Sequence, residues 1–284
     1  MLTGDRISGS IHAGFGAMFV YLFFGIMAAV NIRRILLSPT GKDSEEAKLD
    51  DGFYYYNGYD LGISKKEIYQ ILLKHFPYFQ KLDADKQAMF LSRLQSFMTS
   101  KIFVLTSALA YKEMPVLLSA AAVQITFGLK KYRLPHFRYI RVFPEEYFKQ
   151  GTFHVLAGHV YGNGITVAWN HFLEGYKDVT NGINVGLHEM AHALYFESLF
   201  GEEKCSRFRS YYSEFVEEAG QYMQAHQLPS LFSKHAVAEV QELWAESIEM
   251  FFETPQTLYS QYPGLYLLLC QILNQQPEEV ALPS

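Results

Sequence analysis

The sequence contains little cysteine and no concentrated positive charge, and each shortage argues against a class of protein. Its two cysteines, Cys205 and Cys270, lie far apart and form no CxxC pair. Neither a disulfide framework nor a thiolate metal site is therefore expected, and a reducing compartment is predicted. The formal net charge is −5, and no run of lysine and arginine occurs along the chain. Because phosphate binding needs a concentrated basic surface, no nucleic-acid partner is expected.

Apolar sequence, by contrast, is plentiful. Hydrophobic residues make up 49% of the 284 residues and charged residues 19%, so the chain can bury a sizeable core and disorder is not expected. The sequence shows no internal repeat and no low-complexity block. Its length alone predicts one large domain or two small ones.

One uncharged apolar run, residues 13–30, stands apart near the N-terminus. Its length is near the lower limit of roughly 17 to 25 residues for a helix that spans a bilayer. A buried core helix, or a helix that packs on a partner, is the alternative. Arg33 and Arg34 follow the run, which is the wrong order for a cleaved signal peptide. The basic flank predicts a single-pass anchor in the cell inner membrane, with the large C-terminal part in the cytoplasm.

The chain is accordingly divided into three parts. Residues 1–37 are interpreted as the membrane anchor, with its helix at about 13–31. The polar segment 38–52 is rich in turn-forming residues and is interpreted as a linker. Residues 53–284 are then expected to form the folded domain.

Within this domain, periodicity predicts helices, then a few strands, then helices again. Strands are predicted at residues 137–144 and as two segments within 154–169 that meet at an Asn-Gly turn. Two helices are predicted between residues 64 and 101, separated near Pro77, and further helices at 115–129, 183–200, 206–225, 234–253 and 256–274. This order predicts an α+β fold that is mainly helical with a small sheet.

The sequence GLHEMAH, residues 186–192, carries the clearest chemical signal. His188, Glu189 and His192 fit the pattern HExxH, in which the two histidines lie on one helix face and can bind one ion. The glutamate between them is placed to act as a general base. The motif lies within an otherwise apolar helix, where these side chains would be costly to bury without a function. Ordinary core histidines are the alternative.

A catalytic zinc site usually has three protein ligands, so a third is expected on a later helix. The best region is residues 236–255, where Glu239, Glu242, Glu246 and Glu249 compete. The last three share one helix face by their spacing, which is also typical of a solvated face. Periodicity alone therefore leaves the third ligand open.

Residues 242–277 resemble the C-terminal signature of the Mlc titration factor A family of zinc-dependent peptidases. In that family a glutamate is followed by S-E-x-F-F, a proline and P-x-L-Y. The sequence NVGLHEMAH, beginning at Asn184, is similar to the family's N-x-x-x-H-E-x-A-H, and the resemblance extends upstream to about residue 70. It implies a zincin-like peptidase fold, Zn²⁺ as cofactor and Glu242 as the third ligand.

The resemblance also implies a mechanism, with two departures. Zinc would be held by the two histidines and Glu242, and Glu189 would take a proton from the attacking water of a peptide or protein substrate. The family's tyrosine seven residues before the ligand glutamate is His235 here, which could still donate to the oxyanion from the same helix face. A surface histidine with no role is the alternative. The family's H-K-L-D becomes His192 followed by Ala, Leu and Tyr195, which affects contacts around the ligands.

Three further expectations concern binding. The strand at residues 165–169 is predicted to lie beside the cleft and to pair with an extended peptide. His154, His159 and His171 lie near that strand, and they are interpreted mainly as ordinary polar residues, with a second metal site as the alternative. The family's name implies a rival function, a regulatory module that sequesters a transcriptional regulator of sugar uptake and carries a structural zinc.

Overall fold

The computed structural model of the chain describes residues 54–58, 61–105, 113–148, 155–200, 206–224 and 231–277. All of them belong to one compact unit, Glu46–Ser284. The predicted anchor and the whole predicted linker lie in residues 1–52, outside the described ranges. Within those ranges, no helix is both long enough and apolar enough to cross a bilayer.

Helices provide most of the described structure. The strands are β1 (Tyr54–Asn57), β2 (Ile102–Leu105), β3 (Tyr139–Phe143), β4 (Tyr147–Phe148), β5 (Val155–Leu156), β6 (Gly158–Tyr161) and β7 (Gly164–Ala168). The helices are α1 (Lys65–His75), α2 (Pro77–Gln80), α3 (Ala84–Met98), α4 (Glu113–Thr126), α5 (Trp169–Lys177), α6 (Val185–Phe200), α7 (Ser206–Gln224), α8 (Lys234–Ala238), α9 (Val240–Glu253), α10 (Pro255–Gln261) and α11 (Pro263–Leu273). The predicted mainly helical α+β architecture with a small sheet is confirmed.

The sheet has mixed strand directions and one short edge strand next to the HExxH helix. Its strand order is β1-β2-β3-β7-β6. The three central strands β2, β3 and β7 run parallel, and β1 and β6 are antiparallel to their neighbours. Strands β4 and β5 form a separate two-stranded ribbon. Strand β6 therefore forms one edge of the described sheet, while β7 is hydrogen-bonded to a strand on each side.

The N-terminal helices begin where the sequence supplies caps. Ser64 and Glu67 form a capping box at the start of α1, and the Asp83 side chain accepts from the Lys86 N–H at the start of α3. Pro77 begins a separate short helix, α2, so the two predicted helices are three. The buried rings of Phe76 and Phe90, with their neighbours, then pack into an aromatic cluster.

Helix α4 is the central helix of the fold. All of its residues from Met114 to Thr126 are buried, and it packs against α1, α3 and the HExxH helix α6. A helix that is apolar on every side is expected in such a central position. It supports α6 from behind and leaves the opposite side of that helix for the site.

The C-terminal helices include α9, which also carries polar side chains and packs against α6. The indole N–H of Trp244 donates to the Ala191 carbonyl at 2.9 Å, which joins the middle of α9 to the middle of α6. The predicted helix at residues 234–253 is broken at Glu239, whose backbone is extended. The predicted helix at 256–274 is also two helices, because Pro263 begins α11 and disfavours helical backbone at the residue before it.

Candidate metal centre

The HExxH segment lies on α6, whose first turn is capped by the preceding asparagine. The side-chain oxygen of Asn184 accepts a hydrogen bond from the Leu187 backbone N–H at 3.1 Å. The His188 N–H donates to the Asn184 carbonyl at 2.9 Å. Asparagine is favoured at this position because its side chain satisfies a donor that the helix leaves unpaired. The start of the helix, and with it the first histidine, is thereby fixed.

Two imidazoles and one carboxylate converge beside α6. His188 and His192 share one face of the helix, and their Nε2 atoms are 3.1 Å apart. Glu242, in the first turn of α9, places Oε2 3.3 Å from the Nε2 of His188 and Oε1 3.4 Å from that of His192. Ligand atoms of all three residues lie within 4.8 Å of one another. Among the described residues, these three form the only group of His, Cys and acidic side chains whose ligand atoms lie close enough together to hold one metal ion.

The other three candidate glutamates have different surroundings. Glu239 is exposed at the break between α8 and α9. Glu246 accepts hydrogen bonds from the backbone N–H and the hydroxyl of Ser233, at 2.9 and 2.5 Å. Glu249 lies 2.7 Å from the Nδ1 of His188, on the side of the ring that faces away from His192 and Glu242. The structure therefore brings only Glu242, of these four, to the Nε2 atoms of both histidines.

Glu249 is a positioning group for His188. A carboxylate only accepts hydrogen bonds, so the Nδ1 of His188 must carry the proton in this contact, which leaves the Nε2 lone pair for a metal. The other oxygen of Glu249 accepts from the Asn184 backbone N–H. The Asn184 side-chain amide in turn donates to Glu253 at 2.9 Å. This buried network links the start of α6 to α9, the two helices that carry the candidate ligands.

The ionisable side chains of the site shift one another's pKa values strongly. Burial lowers the pKa of His188, but hydrogen bonds to Glu242 and Glu249 outweigh burial and raise it well above its ordinary value. Hydrogen bonds from His188 and His192 lower the pKa of Glu242, which therefore stays ionised.

Glu189 has the surroundings of an acid or base, not of an ion-pair partner. Its side chain is buried, and its Oε2 has no hydrogen-bond partner among the described residues. Burial raises the pKa of Glu189 to about 8; the charge of His188 opposes this rise, and those of Glu242 and Glu249 add to it. An unpaired buried oxygen is uncommon in folded proteins and needs an explanation.

The residues present fit a metal ion of the zinc type. Two imidazole nitrogens and one carboxylate oxygen are the donor set of one large class of catalytic zinc sites. The Glu249 carboxylate beside the Nδ1 of His188 is the kind of partner that ligating histidines usually have. The unpaired Oε2 of Glu189, one residue along the helix from His188, fits the water that such a site binds.

The sequence from residue 63 to residue 273 matches the model of the family described as glucose-regulated metallo-peptidase M90. The chain belongs to this family. The match spans both helices that carry the convergent side chains, and it confirms the resemblance to the Mlc titration factor A family. A metallopeptidase-like function and a metal ion follow from membership. No curated protein matched the chain.

The geometric reason given for His235 is wrong for this M90 domain. The prediction placed His235 and Glu242 on one continuous helix, but Glu239 has extended backbone with φ −133° and ψ 118° and ends α8 between them. The His235 ring is exposed, and none of the described residues bonds to it. The oxyanion role of His235 stays a prediction without the support of helical spacing.

The predicted pairing of a peptide with the strand at residues 165–169 is also wrong for the described sheet. That segment is β7, which is hydrogen-bonded to β3 on one side and to β6 on the other. The strand at the edge is β6, and its first residue, Gly158, lies against Glu189. The cleft-side edge of the described sheet is therefore one strand farther out than predicted.

The remaining histidines have partners away from the convergent group. The Nδ1 of His159 lies 2.6 Å from the Tyr147 hydroxyl, and the Nε2 of His171 lies 2.5 Å from Glu146. Neither belongs to a second cluster with metal-binding spacing in the described ranges. His154 lies outside those ranges. Both described histidines thus have the ordinary polar contacts that were favoured.

Sequence reasoning missed the supporting residues of the site. The sequence pattern indicates Glu249 only as a competing ligand, although its spacing from Glu242 places it on the same face of α9. Asn184 was noted only for its match to the family pattern. No local signal pointed to Glu253 or Gly158, because each acts through an element distant in sequence.

Proposed function

We propose that this chain hydrolyses peptide bonds with a zinc ion held by His188, His192 and Glu242. The observation that carries the proposal is the convergence of ligands from α6 and α9 beside a buried carboxylate with an unpaired oxygen at Glu189. A structural metal site needs only its ligands, and an additional buried carboxylate would only add a desolvation cost. A hydrolytic site needs a base beside the metal.

Zinc bound at this position supplies Lewis-acid chemistry, since it polarises a carbonyl oxygen and lowers the pKa of water. The residues of the protein supply orientation and proton transfer. Glu249 holds the ring of His188 with its Nε2 toward His192 and Glu242, where these residues would hold the ion. Glu189 takes the proton from the attacking water and returns it to the leaving amine. Burial raises the pKa of Glu189 above that of an ordinary carboxyl group, which makes its carboxylate a stronger base.

The substrate is proposed to be an extended segment of a peptide or protein that adds to the edge strand β6. Edge strands offer backbone groups to a further strand, and peptide addition of this kind is a common recognition mode. Strand β6 is next to the site because its first residue, Gly158, contacts Glu189. A peptide paired with β6 would therefore pass the candidate base.

His235 is proposed as the donor to the carbonyl oxygen that gains negative charge. Its exposed ring has no partner among the described residues and is available to a substrate. Its carbonyl accepts the Glu239 N–H at 2.9 Å, immediately before the helix that carries Glu242. An imidazole N–H can stabilise an oxyanion, although its donation depends on pH.

Zinc content and cleavage of a peptide panel, measured for the wild type and for Glu189→Gln, test the proposal. Both proteins are expected to bind one zinc ion per chain, and the variant is expected to lose roughly 10²- to 10⁴-fold in rate. Stoichiometric zinc without cleavage of any peptide by the wild type would refute the enzymatic proposal. A module that only sequesters a transcriptional regulator of sugar uptake would bind its partner equally well in both proteins.

A further inference from the structure

Gly158, the first residue of the edge strand β6, lies directly against the side chain of Glu189. A Cβ atom built on Gly158 would be 2.5 Å from Oε1 of Glu189, 2.6 Å from its Cγ and 2.7 Å from its Cδ. These three atoms are the nearest to that position. The space that any larger residue would need at position 158 is thus already occupied by the candidate base.

Strand β6 is held in place by hydrogen bonds to its neighbours in the sheet and the ribbon. Gly158 is paired with Val167 of β7, and the neighbouring Ala168 N–H donates to the Ala157 carbonyl at 2.7 Å. The next residue, His159, is tied to the ribbon strand β4 through the Tyr147 hydroxyl. Withdrawal of the strand from Glu189 would disturb several of these hydrogen bonds.

Glu189 is the partner that can move at lower cost. Its Oε2 makes no hydrogen bond to the described residues, so no such bond fixes the carboxylate from that side. Rotation about the Glu189 side-chain bonds breaks no backbone hydrogen bond, whereas movement of β6 would break several. A methyl group at position 158 would therefore displace the Glu189 side chain before it displaced the strand.

We propose that Gly158 is a positioning residue for Glu189, because the absence of a side chain at position 158 leaves the space in which the Glu189 carboxylate lies. This inference rests on the proposed role of Glu189 as the general base. It assigns to a glycine of the substrate-side strand a direct effect on the base, without any effect on the metal ligands. Replacement of Gly158 should accordingly separate proton transfer from metal binding.

Gly158→Ala tests the inference, with Gly220→Ala as the matched control. Gly220 lies in α7, where an added Cβ would meet no atom within 4 Å. For Gly158→Ala we expect an approximately 100-fold lower kcat, since a misplacement of about 1 Å can cost that much. The KM and the zinc dissociation constant should stay within about twofold of the wild type, and the urea midpoint should not fall, as for the control.

Crystal structures of the same variants supply a readout that does not depend on activity. The inference predicts that the Glu189 side chain of Gly158→Ala is rotated away while β6 keeps its pairing with β7. A shifted strand with an unmoved Glu189, or loss of zinc or of stability in Gly158→Ala, would overturn the inference. So would a Gly158→Ala kcat equal to that of an active wild type. If the wild type cleaves no peptide, the proposed function fails, and the position of Glu189 in the variant still decides the steric inference.

A shorter acid gives a second test in solution. Glu189→Asp removes one methylene group, so the alanine at position 158 should conflict less with the carboxyl group. In a double-mutant cycle, Gly158→Ala should then lower the kcat of the Glu189→Asp protein by less than about tenfold. An equal loss in both backgrounds would show that the glycine acts elsewhere.

Discussion

Replacement of Glu249 should weaken metal binding even though Glu249 is not a proposed ligand. Its side chain is only 6% exposed, and its Oε1 lies 2.7 Å from the Nδ1 of His188. Its second oxygen accepts from the Asn184 N–H at the start of the ligand helix. Glu249→Ala would remove both contacts, so the ring of His188 could rotate and either ring nitrogen could carry the proton.

The expected magnitude follows from the general effect of groups that hydrogen-bond to a metal ligand without touching the metal. Loss of such a partner usually lowers metal affinity by about 10- to 100-fold, and this range corresponds to about 1.4 to 2.7 kcal/mol of binding free energy. Glu249→Gln should lose less, because its amide oxygen can still accept from the Nδ1 of His188. Its amide N–H₂ group, however, would face the N–H of Asn184 and could not accept from it.

A competition titration against a chromophoric zinc chelator at fixed pH measures the effect. Glu239→Gln is the matched control, because Glu239 precedes the same helix and is exposed. The predicted order of zinc affinity is wild type and Glu239→Gln, then Glu249→Gln, then Glu249→Ala. Wild-type affinity in Glu249→Ala, or an equal loss in Glu239→Gln, would refute the reasoning.

Three other predictions follow from single residues. Lys101 is buried and its ammonium donates to the carbonyls of residues 133, 134 and 137 at 2.6 to 2.7 Å, so Lys101→Met should destabilise the protein by at least about 3 kcal/mol in urea denaturation; a smaller loss would contradict this. His235→Ala should lower kcat by about 10²- to 10³-fold with zinc content unchanged if the oxyanion role is correct; an unchanged kcat would show a surface histidine without a role. Burial raises the pKa of Glu253 from 4.5 to about 7, so as the pH rises the unfolded chain loses this proton before the folded protein does. The free energy of unfolding should therefore fall as the pH rises from 4.5 to 7. Glu253→Gln should weaken that fall, and an unchanged pH dependence of stability would contradict the assignment.

The local part of the site was predictable from the sequence. The spacing of His188 and His192 requires only a helix, and the apolar residues around them predicted that helix to within a few residues. The choice of Glu242 was not predictable in the same way. Glu242, Glu246 and Glu249 repeat along one face of α9, and their separate partners depend on how α9 packs against α6. Only the family resemblance distinguished them.

The errors in the predicted fold have physical causes of the same kind. Strands β1 and β2 were missed because they are short, and the apolar run of Ile102–Leu105 lacks the alternation that marks a half-buried strand. The break at Glu239 carries no proline or glycine, so the sequence gives no signal for it. Strands β6 and β7 and their turn were predicted, but which of them lies at the edge depends on the pairing with β3.

The membrane anchor at residues 1–37 and the cytoplasmic location of the C-terminal part stay predictions, since the anchor residues lie outside the described part of the chain. The anchor would place the peptidase domain close to the inner membrane surface. Neither the ligand geometry nor the position of Glu189 depends on it.

A crystal structure of the zinc-loaded protein, with data collected on both sides of the zinc absorption edge, tests the central claim most directly. The account predicts one anomalous peak about 2.0 to 2.2 Å from the Nε2 atoms of His188 and His192 and from a carboxylate oxygen of Glu242. A peak at another position, or a Glu242 side chain turned away from the ion, would contradict it.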